Sequence, residues 1–233
     1  MRRIEEHFGL LLTAINDRDQ NTSLLLMKEA TQSCSELLLW LDCLNSQFPN
    51  ALANELLIGA RASMLESVAY IGLGLGRASI SAIRTQIDLI LAFTYFCEHP
   101  REWELVKTTD SGFKLKSHIN QYHIETKPHF HRKLQIVEKS EGNSLSKLYR
   151  ILSAHVHGQS PLTAPKSGQF VDLLSSDSFL SSLIELQKMV DRCLSNYLSI
   201  VYLEMNLSPP LEIENRIKSQ LQSKEIKAVF FGD

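Results

Sequence analysis

Leu148-Tyr149-Arg150-Ile151-Leu152-Ser153-Ala154-His155-Val156-His157-Gly158 is the stretch on which the reading of this chain turns. Arg150 is followed by His155 after four intervening residues and by His157 after six. A helix advances about 100° per residue, so Arg150, Ser153 and His157 share one face, while His155 points roughly 140° away from Arg150. If the helix runs on to Gly158, His157 is the partner of Arg150. If it ends near Ser153, His155 swings in instead. A plain structural reading stands beside both: Arg150 pairs with an acid, Ser153 caps a backbone group, and the histidines end a surface helix.

Outward from this tract the prolines parse the chain. Pro49, Pro100, Pro128, Pro161, Pro165 and the pair Pro209-Pro210 leave proline-free segments of helical length, as expected where proline starts or ends helices. Upstream, helices are expected over Ile4–Asn16 and Leu24–Leu44. Two amphipathic helices follow, one burying Leu56, Leu57, Ala60, Met64, Val68 and Ile71, the next Ile80, Ile83, Ile87, Ile90, Leu91 and Tyr95. A short helix over Arg101–Lys107 precedes the breaker Asp110-Ser111-Gly112. Shorter helices are predicted over Lys114–Ile124, Pro128–Lys139 and Ser144–His157, then a loop from Gly158 to Gly168. A long helix over Ser178–Met205 carries Leu180, Leu183, Ile184, Val190, Leu194, Tyr197, Leu198, Val201 and Met205 and forms the spine. A last short helix, Leu211–Leu221, begins after two prolines. No alternating runs with hairpin turns occur. The expectation is an all-α bundle of roughly eight helices, one domain over 1–233: N-terminal helices in 1–48, a core in 50–206 and a C-terminal short helix in 207–233.

A chain of 233 residues with 44% hydrophobic content can bury its own core without disulfides. Its four cysteines never form a C-x-x-C pair, which suits reduced core residues rather than a disulfide framework or zinc site. Glu5, Glu6 and His7 directly follow Arg2-Arg3, so no signal peptide is read. The apolar runs fall far short of the roughly 20 residues a membrane span needs. A cytoplasmic protein with no membrane contact is expected. The net charge of −2 hides an asymmetry: between Lys107 and His157, nine Lys and Arg residues face four acids, which leaves the rest of the chain at −7. Six of the eight histidines lie there too. Such a band marks either an anion or nucleic-acid face, or a solvated surface balanced by acids elsewhere. Lys114, Lys116, Lys133 and Lys147, with Tyr149, are the candidate RNA contacts. Phe113, Tyr122 and Phe130 are interleaved with them, as in single-strand binding surfaces.

Three further features need an account. Gly72-Leu73-Gly74-Leu75-Gly76-Arg77 has neither the preceding strand nor the closing Lys-Ser/Thr of a phosphate loop. It reads as a hinge or a close approach of two helices. The pairs His129-Phe130-His131 and His155-Val156-His157, with His118 and His123, lack an acid at ligand spacing, so no metal or cofactor is expected. Arg84 and Asp88 stand four apart on an apolar helix, placed to form an ion pair and to support the geometry of a site.

The spacing of Arg150 with His155 and His157 meets the Arg-x(4–6)-His rule of the HEPN superfamily, helical proteins that include many metal-independent ribonucleases of bacterial toxin and defence systems. The tract is also similar to the Tyr-Arg-x-Leu-Ser-x-x-x-His-Gly signature of a large bacterial helical family. That family's upstream pattern resembles Arg84…Asp88…Tyr95-Phe96…His99-Pro100…Glu102-Trp103 here, with Asp88 in place of the more usual Glu. The resemblance covers about Met64 to His157. Where many active relatives carry Asn, Asp or His after the arginine, this chain has Ile151. The resemblance implies a HEPN-like bundle, a homodimer whose two motifs face each other across a groove, and catalysis by Arg150 with His157 or His155, aided by Ser153. In that chemistry a histidine, titrating near pH 6.5, takes the 2′-hydroxyl proton, and the guanidinium stabilises the charged phosphorane. The function it implies is an endoribonuclease or RNA-associated effector of a bacterial defence or toxin system. The alternative is a non-catalytic helical interaction or scaffold protein within a larger complex.

Overall fold

A computed structural model describes residues 2–109, 111–114, 116–159, 170–221 and 223–231. Among these there are twelve α-helices, one 3-10 turn (Phe170–Leu173) and no strand. The all-α class therefore stands, with more helices than the roughly eight expected. Most of the expected loop from Gly158 to Gly168, with Pro161 and Pro165, lies outside the described residues, as does Asp110 of the expected breaker.

Three helices form the centre: α4 (Asn54–Gly72), α5 (Gly76–Phe96) and α10 (Asp177–Leu203). The apolar positions that define their periodicity are the ones buried. Leu56, Leu57, Ala60, Met64, Val68 and Ile71 of α4 face Ile80, Ile83, Ile87, Ile90 and Leu91 of α5 inside one continuous core. At roughly 1.5–3 kcal/mol for each fully buried large side chain, this seam contributes heavily to stability. α10 is the spine: it packs against α2 (Gln20–Gln32), α3 (Ser35–Gln47), α5, α8 (Phe130–Glu141), α9 (Leu145–Val156) and α11 (Leu211–Gln220). Its end at Leu203 leaves Met205, expected within it, just beyond the helix and partly buried.

A polar ladder fixes how these three helices mesh. Gln86 Nε2 donates to Gln187 Oε1 at 3.1 Å, and Gln187 Nε2 returns a bond to Gln86 Oε1 at 2.8 Å. Both glutamines are fully buried, with Ser67 alongside. Sliding α10 against α5 would strand two buried amides without partners, at about 1–3 kcal/mol each.

The single helix expected over Leu24–Leu44 is two, and the cause lies far away in sequence. Asp191 of α10 accepts hydrogen bonds from the amides of Leu37 (2.8 Å) and Glu36 (3.2 Å). It thereby supplies the cap that Cys34, the residue before α3, does not provide. A cap placed there starts a new helix.

The glycine run is a helix–helix junction. Gly74 lies at φ +81° and closes α4, with Leu75 N donating to Tyr70 O at 2.7 Å, the bond pattern of a left-handed C-cap. A side chain at Gly72 would strike Met27, and one at Gly76 would strike Ser175 and Phe179. Packing therefore explains all three glycines. Gly74→Ala is expected to cost roughly 1–2 kcal/mol, because it forces a left-handed φ on alanine and crowds the Arg18 guanidinium that pairs with Asp177. Chemical denaturation would measure it, and an unchanged midpoint would mean that the turn relaxes freely.

The periphery comprises α1 (Arg2–Asn16), which lies on the 3-10 turn, then α6 (Pro100–Thr109), α7 (Lys116–Thr126) and α12 (Lys224–Phe231). Among the described residues no helix is long and apolar enough to cross a membrane.

Candidate active site on helix α9

Ser144 caps α9, its Oγ accepting from Lys147 N at 3.2 Å. Leu145, Leu148 and Leu152 are buried, which sets the rotational phase of the helix. Tyr149 and Ser153, four apart, then turn toward α5, while Arg150 turns to solvent. The far end is closed by Gly158 at φ +68°: Gly158 N donates to His155 O, and Gln159 N donates to Ala154 O at 2.8 Å. This is a Schellman arrangement, and it accounts for the glycine of the tract in physical terms. The helix thus reaches His157, its C-cap, rather than unwinding at Ser153. His157 is exposed and seven residues from Arg150, about 20° short of two full turns. His155 is partly covered, and burial pushes its imidazole below the usual histidine range.

Arg84 of α5 braces this helix. Its Nε donates to Ser153 Oγ at 3.1 Å, its Nη2 to the Tyr149 hydroxyl at 2.5 Å, and its Nη1 pairs with Asp88 Oδ2 at 3.1 Å. The Tyr149 hydroxyl also helps to hold the Asp88 carboxyl in its charged form. Burial raises the Asp88 carboxyl above the usual carboxylate range against the pull of Arg84, and burial beside Asp88 raises the Tyr149 phenol. The Arg84–Asp88 pair is therefore a clamp between two helices, not merely an intrahelical salt bridge. Ser153, about 60° round the helix from Arg150, is spent in that clamp as the acceptor of Arg84 Nε. Arg150 makes no ion pair among the described residues, so the acid expected by the plain structural reading is not found there.

The rest of the upstream pattern is structural. Tyr95 donates to Glu102 Oε1 at 2.9 Å and stacks on His99 at 4.1 Å. Trp103 is buried against Phe96, and its indole N–H donates to Leu52 O and Glu55. Together they hold α6 and the segment 111–114 to the end of α5.

Four of the nine cations in the basic band are neutralised by acids from outside it. Lys107 pairs with Glu55 and Glu104, Lys114 with Glu102 (3.0 Å), and Lys127 with Glu98 (2.8 Å). Lys133 requires correction as a surface contact: it is buried and pairs with Glu204 at 2.7 Å. Phe130, expected among exposed aromatics, is in the core. Arg132, Lys139, Lys147 and Arg150 remain exposed. Lys116 is half-buried, with its ammonium 4.6 Å from the centre of the Tyr149 ring.

The histidines do not assemble. His118, His129 and His131 are exposed, whereas His123 is buried with Nε2 on Thr94 Oγ1 at 3.0 Å and Nδ1 without a hydrogen-bond partner. Among the described residues no group of three His, Cys, Asp or Glu side chains is placed to hold a metal. Burial pushes the His123 pKa down to about 3. The unfolded chain, titrating near 6.5, then takes up a proton first, so stability falls as pH drops below about 6.5, by roughly 1.4 kcal/mol per unit. Asp191 acts oppositely: burial raises it to about 7, so its contribution is lost as pH rises through that value. The two flatten the wild-type profile. His123→Phe should unmask the Asp191 slope, with stability rising relative to wild type as pH falls from 6.5 to 4. Parallel curves in urea titrations at both pH values would refute this.

The sequence missed two features. Arg84 was read as the partner of Asp88 and as support for a site, but its bonds to Tyr149 and Ser153 of α9 were not read. The cluster around Arg216 had no local signal at all. Comparison with known proteins gives no family model, no curated protein and no solved structure that matches the chain.

Proposed function

We propose that this protein is an RNA-associated effector of HEPN-like type, cleaving RNA without a metal through Arg150 and His157 in a bacterial defence or toxin setting. The observation that carries this reading is the presentation of the tract: Arg150 exposed, His157 exposed on the same helix face, and the helix intact between them. Arg84 acts as a positioning residue, since its bonds to Tyr149 and Ser153 hold α9 in the phase that turns Arg150 outward. One Arg–His pair supplies half a site, so the reading includes a homodimer that brings two pairs together. Lys147, exposed and three residues before Arg150 on the same helix, is placed to add a phosphate contact, and binding should weaken as salt rises. The test is cleavage of single-stranded RNA by the purified protein in chelator, with Arg150→Ala as control. Cleavage that persists unchanged in the variant removes the reading.

A second reading, a non-catalytic interaction protein within a larger complex, is favoured by the outer face of α4. Ile58 and Leu65 are each more than two-thirds exposed, and Ala62 and Ala69 complete an apolar stripe at helical spacing. Such stripes mark protein contacts. Absence of RNA binding together with a concentration-dependent assembly lost in Leu65→Asp would support it.

A further inference from the structure

Beside the clamp, α5, α7, α9 and the segment 111–114 enclose a cleft of about 200 Å³. Its polar side carries three cations, Arg84, Lys114 and Lys116, against one carboxylate, Asp88. Asp88 is engaged by Arg84, and Glu102 engages Lys114 from outside the lining. Lys116 has no such partner: its ammonium touches Ser146 Oγ at 3.3 Å and the Tyr149 ring, and no carboxylate among the described residues lies at ion-pair distance. Burial lowers its pKa, with Asp88 and Glu138 offsetting this only in part. A half-buried ammonium short of a counter-charge is costly unless an anion completes it. The apolar part of the lining is Leu91 and Ile119, both buried, and the Phe113 ring, partly open to solvent.

We infer that this cleft binds a phosphate monoester carried on a small aromatic or apolar body. The phosphate would lie between Lys116 and Lys114, with the body against Phe113, Leu91 and Ile119. The lining's three cations exceed its one carboxylate by two, and Glu102 on Lys114 brings that excess to one. A monoester, with close to two negative charges at neutral pH, can complete Lys116 and compete with Glu102 for Lys114. A phosphodiester carries one charge and must leave so small a cleft on both sides. The site does not depend on Arg150 or His157, so it stands whether or not the protein cleaves RNA. The phosphate source is either a free small molecule or the end of an oligonucleotide.

Calorimetric titration of the full chain with phenyl phosphate tests this. A dissociation constant on the order of 0.1–1 mM is expected for a ligand of that size. Phenol, which lacks the anion, and inorganic phosphate, which lacks the body, should each bind at least about ten-fold more weakly. Lys116→Met should weaken phenyl phosphate by roughly ten-fold or more while leaving the thermal midpoint equal or higher, because it removes a desolvated charge. Asp88→Asn, which keeps a hydrogen-bonding side chain and removes the competing charge, should tighten binding. A decamer RNA that binds better with a 5′-phosphate than without, and only when Lys116 is present, assigns the oligonucleotide end. Equal binding of the two decamers, with phenyl phosphate still bound, assigns a free small molecule. No saturable binding of phenyl phosphate up to about 10 mM, equal affinity for phenol, or full affinity in Lys116→Met would overturn the proposal.

Discussion

Arg216→Ala is expected to lower the thermal midpoint by roughly 6–12 °C, the largest stability loss of any single substitution outside the apolar core. Arg216 Nη2 pairs with Glu36 at 2.7 Å and Nη1 with Glu141 at 3.4 Å, and the same guanidinium donates to Asn196 Oδ1 (2.9 Å) and Gln220 Oε1 (2.7 Å). One side chain thus joins the start of α3, the end of α8, the middle of α10 and all of α11. The side chains of Glu36, Glu141 and Arg216 are only 18%, 12% and 13% exposed, so solvent screens them weakly. Removing one member of such a set leaves carboxylates buried without compensation, at about 3–5 kcal/mol; at 2–4 °C per kcal/mol for a chain of this length, the lower figure gives the stated shift. Arg192, which reaches the same glutamates at 4.0 and 3.8 Å and is 39% exposed, should cost under about 1 kcal/mol on truncation. Arg216→Met tests whether charge or packing matters: it fills similar space, so a loss close to that of alanine assigns the effect to the stranded carboxylates. Glu36→Gln in the Arg216→Met background should then restore part of the stability. A midpoint within about 2 °C of wild type for Arg216→Ala would mean that the cluster behaves as a solvent-screened surface pair.

That cluster also marks where reading the sequence stops. Apolar periodicity was enough to place α4, α5 and α10, because each buries a face whose spacing is local: Leu56 through Ile71, Ile80 through Leu91, and Leu180 through Val201. Proline positions located the middle helices to within two or three residues. The break between α2 and α3 was illegible, since the residue that imposes it, Asp191, lies more than 150 positions downstream. Charge was read least well, for the same reason. The excess between Lys107 and His157 is real in sequence, yet Glu55, Glu98, Glu102, Glu104 and Glu204 return to meet it. Lys133, singled out as a phosphate contact, is sealed against one of them. The phase of α9 was legible because helix geometry alone ties Arg150 to His157. The reach of Arg84 into that helix was not, although its ion pair with Asp88 was.

For the proposed chemistry, Arg150→Ala should reduce RNA cleavage about 10²- to 10³-fold, the usual loss for a group that stabilises developing charge. His157→Ala should reduce it 10²- to 10⁴-fold, as expected for a general base. Both side chains are exposed, and neither is joined to the Arg84 clamp. Either change should therefore leave stability within about 0.5 kcal/mol of wild type. His155→Ala is the discriminating control. Because α9 stays helical to its cap at His157, His155 faces roughly 140° from Arg150, and its loss should reduce cleavage only a few-fold. His7→Ala, in the same spacing from Arg2, should have no effect. Ser153→Ala and Arg84→Ala act differently: they release the brace on α9, so they should lower activity and stability together, and Arg84→Lys should not restore either, because a lysine cannot reach three acceptors at once. Cleavage should persist in chelator. Retained activity in Arg150→Ala, or a loss in His155→Ala as deep as in His157→Ala, would take the reaction away from this face of the helix; unfolding of Arg150→Ala would make the arginine structural and leave the interaction protein as the reading that fits.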